Sequence, residues 1–157
     1  MTKTATGRWT TATALMALGA LLFLHGAARA ASVAEILAEA AESCAASGGT
    51  AFEHGDAVAE VDLDGVAPSD RLVDTGRFTC AGAPSGYCGS GGCTLLAVVG
   101  EESWRFQAED WRMIDWDGRP VLLIARDGGW CGGAGSQQCV EAVVWSAGQP
   151  LSVKTAR

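Results

Sequence analysis

Three aspartates fall close together in the stretch Val61-Asp62-Leu63-Asp64-Gly65-Val66-Ala67-Pro68-Ser69-Asp70. Asp62, Asp64 and Asp70 occupy the first, third and ninth positions of the Asp-x-Asp/Asn-x-Asp-Gly-x-x-Asp calcium loop. Hard oxygen donors at this spacing can wrap one Ca²⁺, and a glycine at the sixth position permits the sharp turn between them. Here Val66 stands where the fifth-position acid belongs and Ala67 where the glycine belongs. Losing a carboxylate and the turn glycine weakens affinity, so the expectation is a degenerate loop that keeps the turn without the ion. Calcium is the one cofactor the sequence raises.

Nucleophilic chemistry finds little support. Cys88-Gly89-Ser90-Gly91-Gly92 superficially resembles the Gly-Asp-Ser-Gly-Gly of trypsin-like proteases, but glycine occupies the acid position. A serine also needs a base, and after residue 30 the only histidine is His54, in Glu53-His54-Gly55-Asp56, which reads as a solvated turn. The glycine-rich segments have no lysine after them and lead into strands, so neither a Walker loop nor a dinucleotide loop fits. No Cys-x-x-Cys occurs, which disfavours thioredoxin-like redox chemistry. Zinc is disfavoured because cysteines of an exported chain serve better as bridges.

The cysteines carry the clearest pattern. Tyr87-Cys88-Gly89-Ser90-Gly91-Gly92-Cys93 leads into the apolar run Thr94 to Val99. Trp130-Cys131, followed by a Gly-rich loop to Cys139, leads into Val140 to Val144. Each time an aromatic precedes a Cys, glycines follow, and a second Cys opens a strand. A small covalent ring forces backbone angles that residues with a Cβ resist, which explains the glycines. The simplest pairing is Cys88 with Cys93 and Cys131 with Cys139, leaving Cys44 with Cys80. Six cysteines allow many connectivities, and bridges between the two loops are the main rival.

Upstream of them, Lys3 and Arg8, the apolar run Leu15 to Leu24, and Ala28-Arg29-Ala30 follow one another in the order of a secretory signal. Residues 1–30 are therefore expected to be a signal peptide cut after Ala30, its core being short of the roughly 20 residues a bilayer requires. The chain carries 11 Lys and Arg against 18 Asp and Glu; removing Lys3, Arg8 and Arg29 leaves 8 against 18, a net −10 with His neutral. Such a balance disfavours nucleic acid and anionic lipid and suits a cationic partner. No stable membrane insertion is expected after cleavage, and the location is periplasmic or secreted.

The elements that must position these residues read as one helix and a series of strands. Ser32 with Glu35 three residues on forms a capping-box pattern before the stripe Ile36, Leu37, Ala40, Ala41, Cys44, so a helix is predicted over residues 32–46. Strands are predicted over 57–63, 71–78, 94–99, 104–107, 111–116, 121–126, 140–145 and 151–153. Asp117-Gly118 marks a hairpin, and Pro120 must then sit where no amide donor is needed. Residues 31–157 are thus expected to form a single mainly β domain with a minor α part. It is a small antiparallel meander, sandwich or barrel-like sheet, stapled by disulfides, with one N-terminal helix. Trp104, Trp111, Trp116, Trp130 and Trp145 could build a carbohydrate platform, but in a small β domain they are expected to fill the core or cover its edges.

Two resemblances accompany these readings. The Asp loop, with a strand before it and Arg71-Leu72-Val73-Asp74 after, resembles the loop of FG-GAP and VCBS-type repeats. That resemblance implies Asp62, Asp64 and Asp70 as ligands, with a backbone carbonyl between them. The signal, the Cys-anchored helix, the Asp loop and the two Cys-Gly loops together resemble small Cys-rich periplasmic proteins of Gram-negative bacteria, a likeness that brings no function with it. The preferred expectation is an exported, non-catalytic binding or interaction domain, and not an enzyme, whose acidic surface meets a cationic protein, a glycan or an ion. A second is a periplasmic inhibitor of a cationic, lysozyme-like hydrolase, inserting a rigid loop such as Cys88 to Cys93 into a cleft. A third is a small carboxylate-dependent hydrolase, for which Glu101, Glu102, Glu109, Asp110, Asp115 and Asp117 offer acids without marking any two as facing each other.

Overall fold

The computed structural model describes residues 31–84 and 86–154, so the predicted signal peptide lies outside the described residues. Helix α1 spans Val33–Ala46 and begins as its sequence requires. The Ser32 hydroxyl accepts the Glu35 backbone N–H while the Glu35 carboxylate accepts the Ser32 N–H, both halves of a capping box. Eleven strands follow: β1 (Ala51–Glu53), β2 (Val58–Val61), β3 (Asp70–Asp74), β4 (Thr79–Ala81), β5 (Cys88–Gly89), β6 (Gly92–Val99), β7 (Glu102–Ala108), β8 (Asp110–Trp116), β9 (Arg119–Arg126), β10 (Cys139–Ser146) and β11 (Gln149–Lys154). Among the described residues no helix is long and apolar enough to cross a membrane.

The strands form two main antiparallel sheets and a ribbon. In the first sheet β2, β3, β6 and β7 are successive neighbours, with short β5 paired to the start of β6. The second is a simple meander, β8-β9-β10-β11, and β1 pairs β4. Alternation along each strand decides what is buried. Leu72, Leu95, Ala97 and Val99 of the first sheet meet Leu122, Ile124, Val143 and Trp145 of the second in one core. The opposite face of the first sheet, with Val73 and Leu96, packs beneath Ile36 and Ala40 of α1, together with Phe78. The layers therefore run helix and ribbon, first sheet, second sheet.

Two details differ from the strands expected. The run Arg71 to Phe78 is not one strand: β3 ends at Asp74, whose carboxylate accepts the Gly76 N–H and starts a 3-10 turn over Thr75–Arg77. A short Asp side chain that bonds the backbone two residues on competes with the ladder, and here it wins. The ribbon β1–β4 and the two-residue β5 were not anticipated. Pro120 sits as expected at the start of β9, outside the Leu122–Arg126 segment that pairs with β10.

Three bridges join Cys44 to Cys80, Cys88 to Cys93 and Cys131 to Cys139, the pairing that the Gly-rich loops suggest. Bridges of this kind are characteristic of an oxidising compartment. The first ties α1 to β4 across a separation of 36 residues, and Gly49 must lack a Cβ because one would collide with the Cys80 sulfur. The other two close loops of similar composition but different shape. Cys88–Cys93 staples a tight β5–β6 hairpin, whereas Cys131–Cys139 ties a 3-10 turn at Gly128–Cys131 to the start of β10. An inward-facing ion pair, Arg126 Nε to Glu141 Oε2 at 2.6 Å, lies next to this second loop, and Arg126 also donates to the Gln107 carbonyl of the first sheet.

Candidate functional site

The loop from β2 to β3 brings Asp62, Asp64 and Asp70 together: one oxygen from each lies within 4.8 Å of the others. Each carboxylate accepts a backbone N–H, Asp62 from Gly65 at 2.6 Å, Asp64 from Val66 at 2.8 Å and Asp70 from Leu63 at 2.8 Å. Leu63 is buried in the core and pins the loop from beneath. The left-handed residue of the turn is Gly65, with φ of 78°, two positions earlier than the calcium motif has its glycine. The turn thus closes on its own amides. Oxygens this close could share one Ca²⁺, but three carboxylates are fewer than the six to eight oxygens the ion takes, and Val66 offers no side-chain donor. Asp70 is 4% exposed, and burial, with Asp64 and Asp62 nearby, raises its pKa above the ordinary carboxylate value; the Leu63 and Asp64 amides act in the opposite direction.

The same loop lines an open cleft of about 550 Å³ with the β8–β9 hairpin, between Asp62 and Gly65 on one side and Asp115 and Gly118 on the other. This end of the molecule is acidic. The six acids that could serve a hydrolase are all exposed and separately engaged or solvated: Glu109 accepts from Gln138, Asp110 from the Trp111 amide and Asp115 from the Gly118 amide. Asp56 is held by Arg77, and among the described residues no hydrogen bond joins His54, Asp56 and Ser90. Cys88, Gly89 and Ser90 at the stapled hairpin are exposed.

The tryptophans divide. Trp145 is buried, and Trp104 and Trp111 pack against the core. Trp130 lies under Arg126, 4.5 Å from ring centre to guanidinium, and near the Lys154 ammonium at 5.1 Å. Trp116 is 70% exposed. Among the described tryptophans only Trp116 and Trp130 are exposed.

A surface that the sequence reading missed is the outer face of the second sheet. Because Trp111, Met113, Leu122, Ile124, Val143 and Trp145 point into the core, the alternate residues of the same strands point outward. These are again apolar. Ile114 pairs with Val121, Leu123 with Ala142, and Ala125 with Val140. Ala142 in turn pairs with Val153 and Val144 with Leu151 on the edge strand. Val140, Leu151 and Val153 are 46%, 55% and 76% exposed, and Trp116 stands at the end of the same face. Its charged residues are Asp110, Arg112 and Arg119, on a chain whose net charge is −7. The signal for this face was present in the sequence: Val121 to Ala125 and Val140 to Trp145 are almost unbroken apolar runs, the pattern of strands covered on both sides.

No protein-family model, curated protein or solved structure matches this chain.

Proposed function

We propose that this chain is an exported, non-catalytic interaction domain that works in the periplasm or outside the cell and meets a macromolecular partner through the outer face of its second sheet. One observation carries the reading. Four neighbouring strands present an apolar face that neither α1 nor the ribbon covers, although the first sheet has both faces covered. An exposed apolar patch of more than a few hundred Å² is uncommon on a free-standing protein and marks an interaction surface. The three bridges support export, because thiols do not persist as disulfides in the cytosol. The acidic cleft beside the Asp loop supplies solubility and repels anionic surfaces.

The test is photo-crosslinking in the exporting cell. A photoreactive residue at Val140 or Val153 is expected to give discrete macromolecular adducts. The same residue at Glu42 on α1 or Glu60 on β2, both exposed, is expected to give none. Absence of adducts from Val140 and Val153, or equal yields at all four positions, would overturn the reading.

A further inference from the structure

The occupant of this face can be named from its own chemistry. We infer that the outer face of the second sheet packs against the same face of a second copy of this chain, forming a two-fold dimer; this rests on reading the domain as an interaction module.

The area fits. Four strands about 4.8 Å apart, each about six residues long at 3.3 Å and showing every second residue, make a face of roughly 20 by 20 Å. Two such footprints total roughly 800 Å², and because side chains such as Trp116, Leu151 and Val153 stand out from the sheet and are more than half exposed, the accessible surface removed exceeds the footprint and approaches about 1,200 Å², the lower end of a specific interface. Sheet faces pack about 10 Å apart with their strands nearly aligned, which a meander four strands wide can do without steric help from loops. A two-fold contact needs a surface that complements itself, and an apolar sheet face does.

Charge disfavours a cationic partner on this face. At −7 for the full chain, two copies repel. This face places Arg112 and Arg119 against Asp110 alone, so two copies of it carry like charge and the contact is held by its apolar side chains. A cationic partner, which the acidic remainder of the surface would attract, gains nothing from docking here. Salt therefore acts in opposite directions on the two cases. Screening relieves the repulsion between like copies and tightens the dimer, whereas it loosens a pair of opposite charge.

The experiment is sedimentation equilibrium on the exported protein, with Val140→Glu and Val153→Glu as variants. Both positions are exposed in the free chain, so an unchanged circular dichroism spectrum, and an unchanged melting curve at a dilution where the wild type is monomeric, will show that the fold is kept. The wild type is expected to sediment at twice its chain mass at about 100 µM, with a dissociation constant that falls as salt rises. Each variant is expected to weaken association by about 100-fold or more, since a charge would be buried unpaired. A wild-type monomer at that concentration overturns the inference, as does a dimer indifferent to both variants. If Val140 and Val153 crosslink only to a different protein, or to residues 1–30 of a chain that keeps them, the self-association fails while the interaction reading stands. No adduct of any kind removes both.

Discussion

Replacing Cys44 and Cys80 together by alanine is expected to cost more stability than removing either other bridge, and to release α1 first. The separation across Cys44–Cys80 is 36 residues, against 5 for Cys88–Cys93 and 8 for Cys131–Cys139. The chain-entropy relation gives about 4 kcal/mol for the first and about 2 to 2.5 kcal/mol for each of the others. Helix α1 is otherwise thinly held: of its fourteen residues only Ile36, Ala40 and Cys44 are buried, two of them small, with Val33 and Leu37 partly buried beside them. Their burial contributes roughly 3 to 5 kcal/mol, close to the share of the bridge itself. The Tyr87 hydroxyl adds a 2.6 Å hydrogen bond to the Ala40 carbonyl, worth about 1 kcal/mol net.

Thermal unfolding followed by circular dichroism should therefore show a drop of about 12 to 20 °C for Cys44→Ala/Cys80→Ala, and about half that for Cys88→Ala/Cys93→Ala. Amide exchange gives the second readout. In the double variant the α1 amides should exchange well before those of β9 and β10, because the helix can open without disturbing the core between the sheets. Equal melting shifts for all three bridge deletions would refute the loop-length argument. Exchange of α1 at the rate of global unfolding would refute its weak anchoring.

Three further outcomes follow from the buried polar groups and the Asp loop. Asp70 binds its proton more tightly folded than unfolded, so the stability it contributes is present in acid and is lost as pH rises through its raised pKa; Asp70→Asn, which still offers Leu63 an acceptor, should flatten that dependence and melt higher at neutral pH. A wild-type-to-variant difference constant from about pH 3 to 7 would refute this. Millimolar calcium should leave the melting temperature unchanged; a saturable rise abolished by Asp64→Ala would show that three carboxylates suffice to hold the ion. Glu141→Gln should cost about 3 to 5 kcal/mol in denaturant titrations by leaving buried Arg126 unpaired, whereas Arg126→Met with Glu141→Leu should cost less than the single change.

What the sequence made legible were features fixed by neighbours in the chain. The capping box at Ser32 and Glu35 needs only four residues, the Asp117-Gly118 hairpin only a turn, and the two short-range bridges only rings rich in glycine. The ribbon β1–β4 was invisible because Phe52 meets Cys80 across the fold, and neither three-residue strand alternates enough to announce itself. Gly92 illustrates the same limit. Its φ of 103° and its close approach to the Ala108 carbonyl are demanded by β7, a strand that the sequence places correctly without revealing what it touches.

The outer face of the second sheet was missed for a different reason. Apolar runs such as Val121 to Ala125 invite the assumption that both faces of the strand lie inside the domain. Two sheets have four faces. The shared core uses one from each, α1 and the ribbon cover a third, and no element among the described residues remains for the fourth. A sheet in that position is normally polar on its open side. Here Ile114, Val121, Leu123, Val140, Leu151 and Val153 occupy it instead. The described residues therefore present one more apolar face than they cover, and the proposed interaction rests on that surplus.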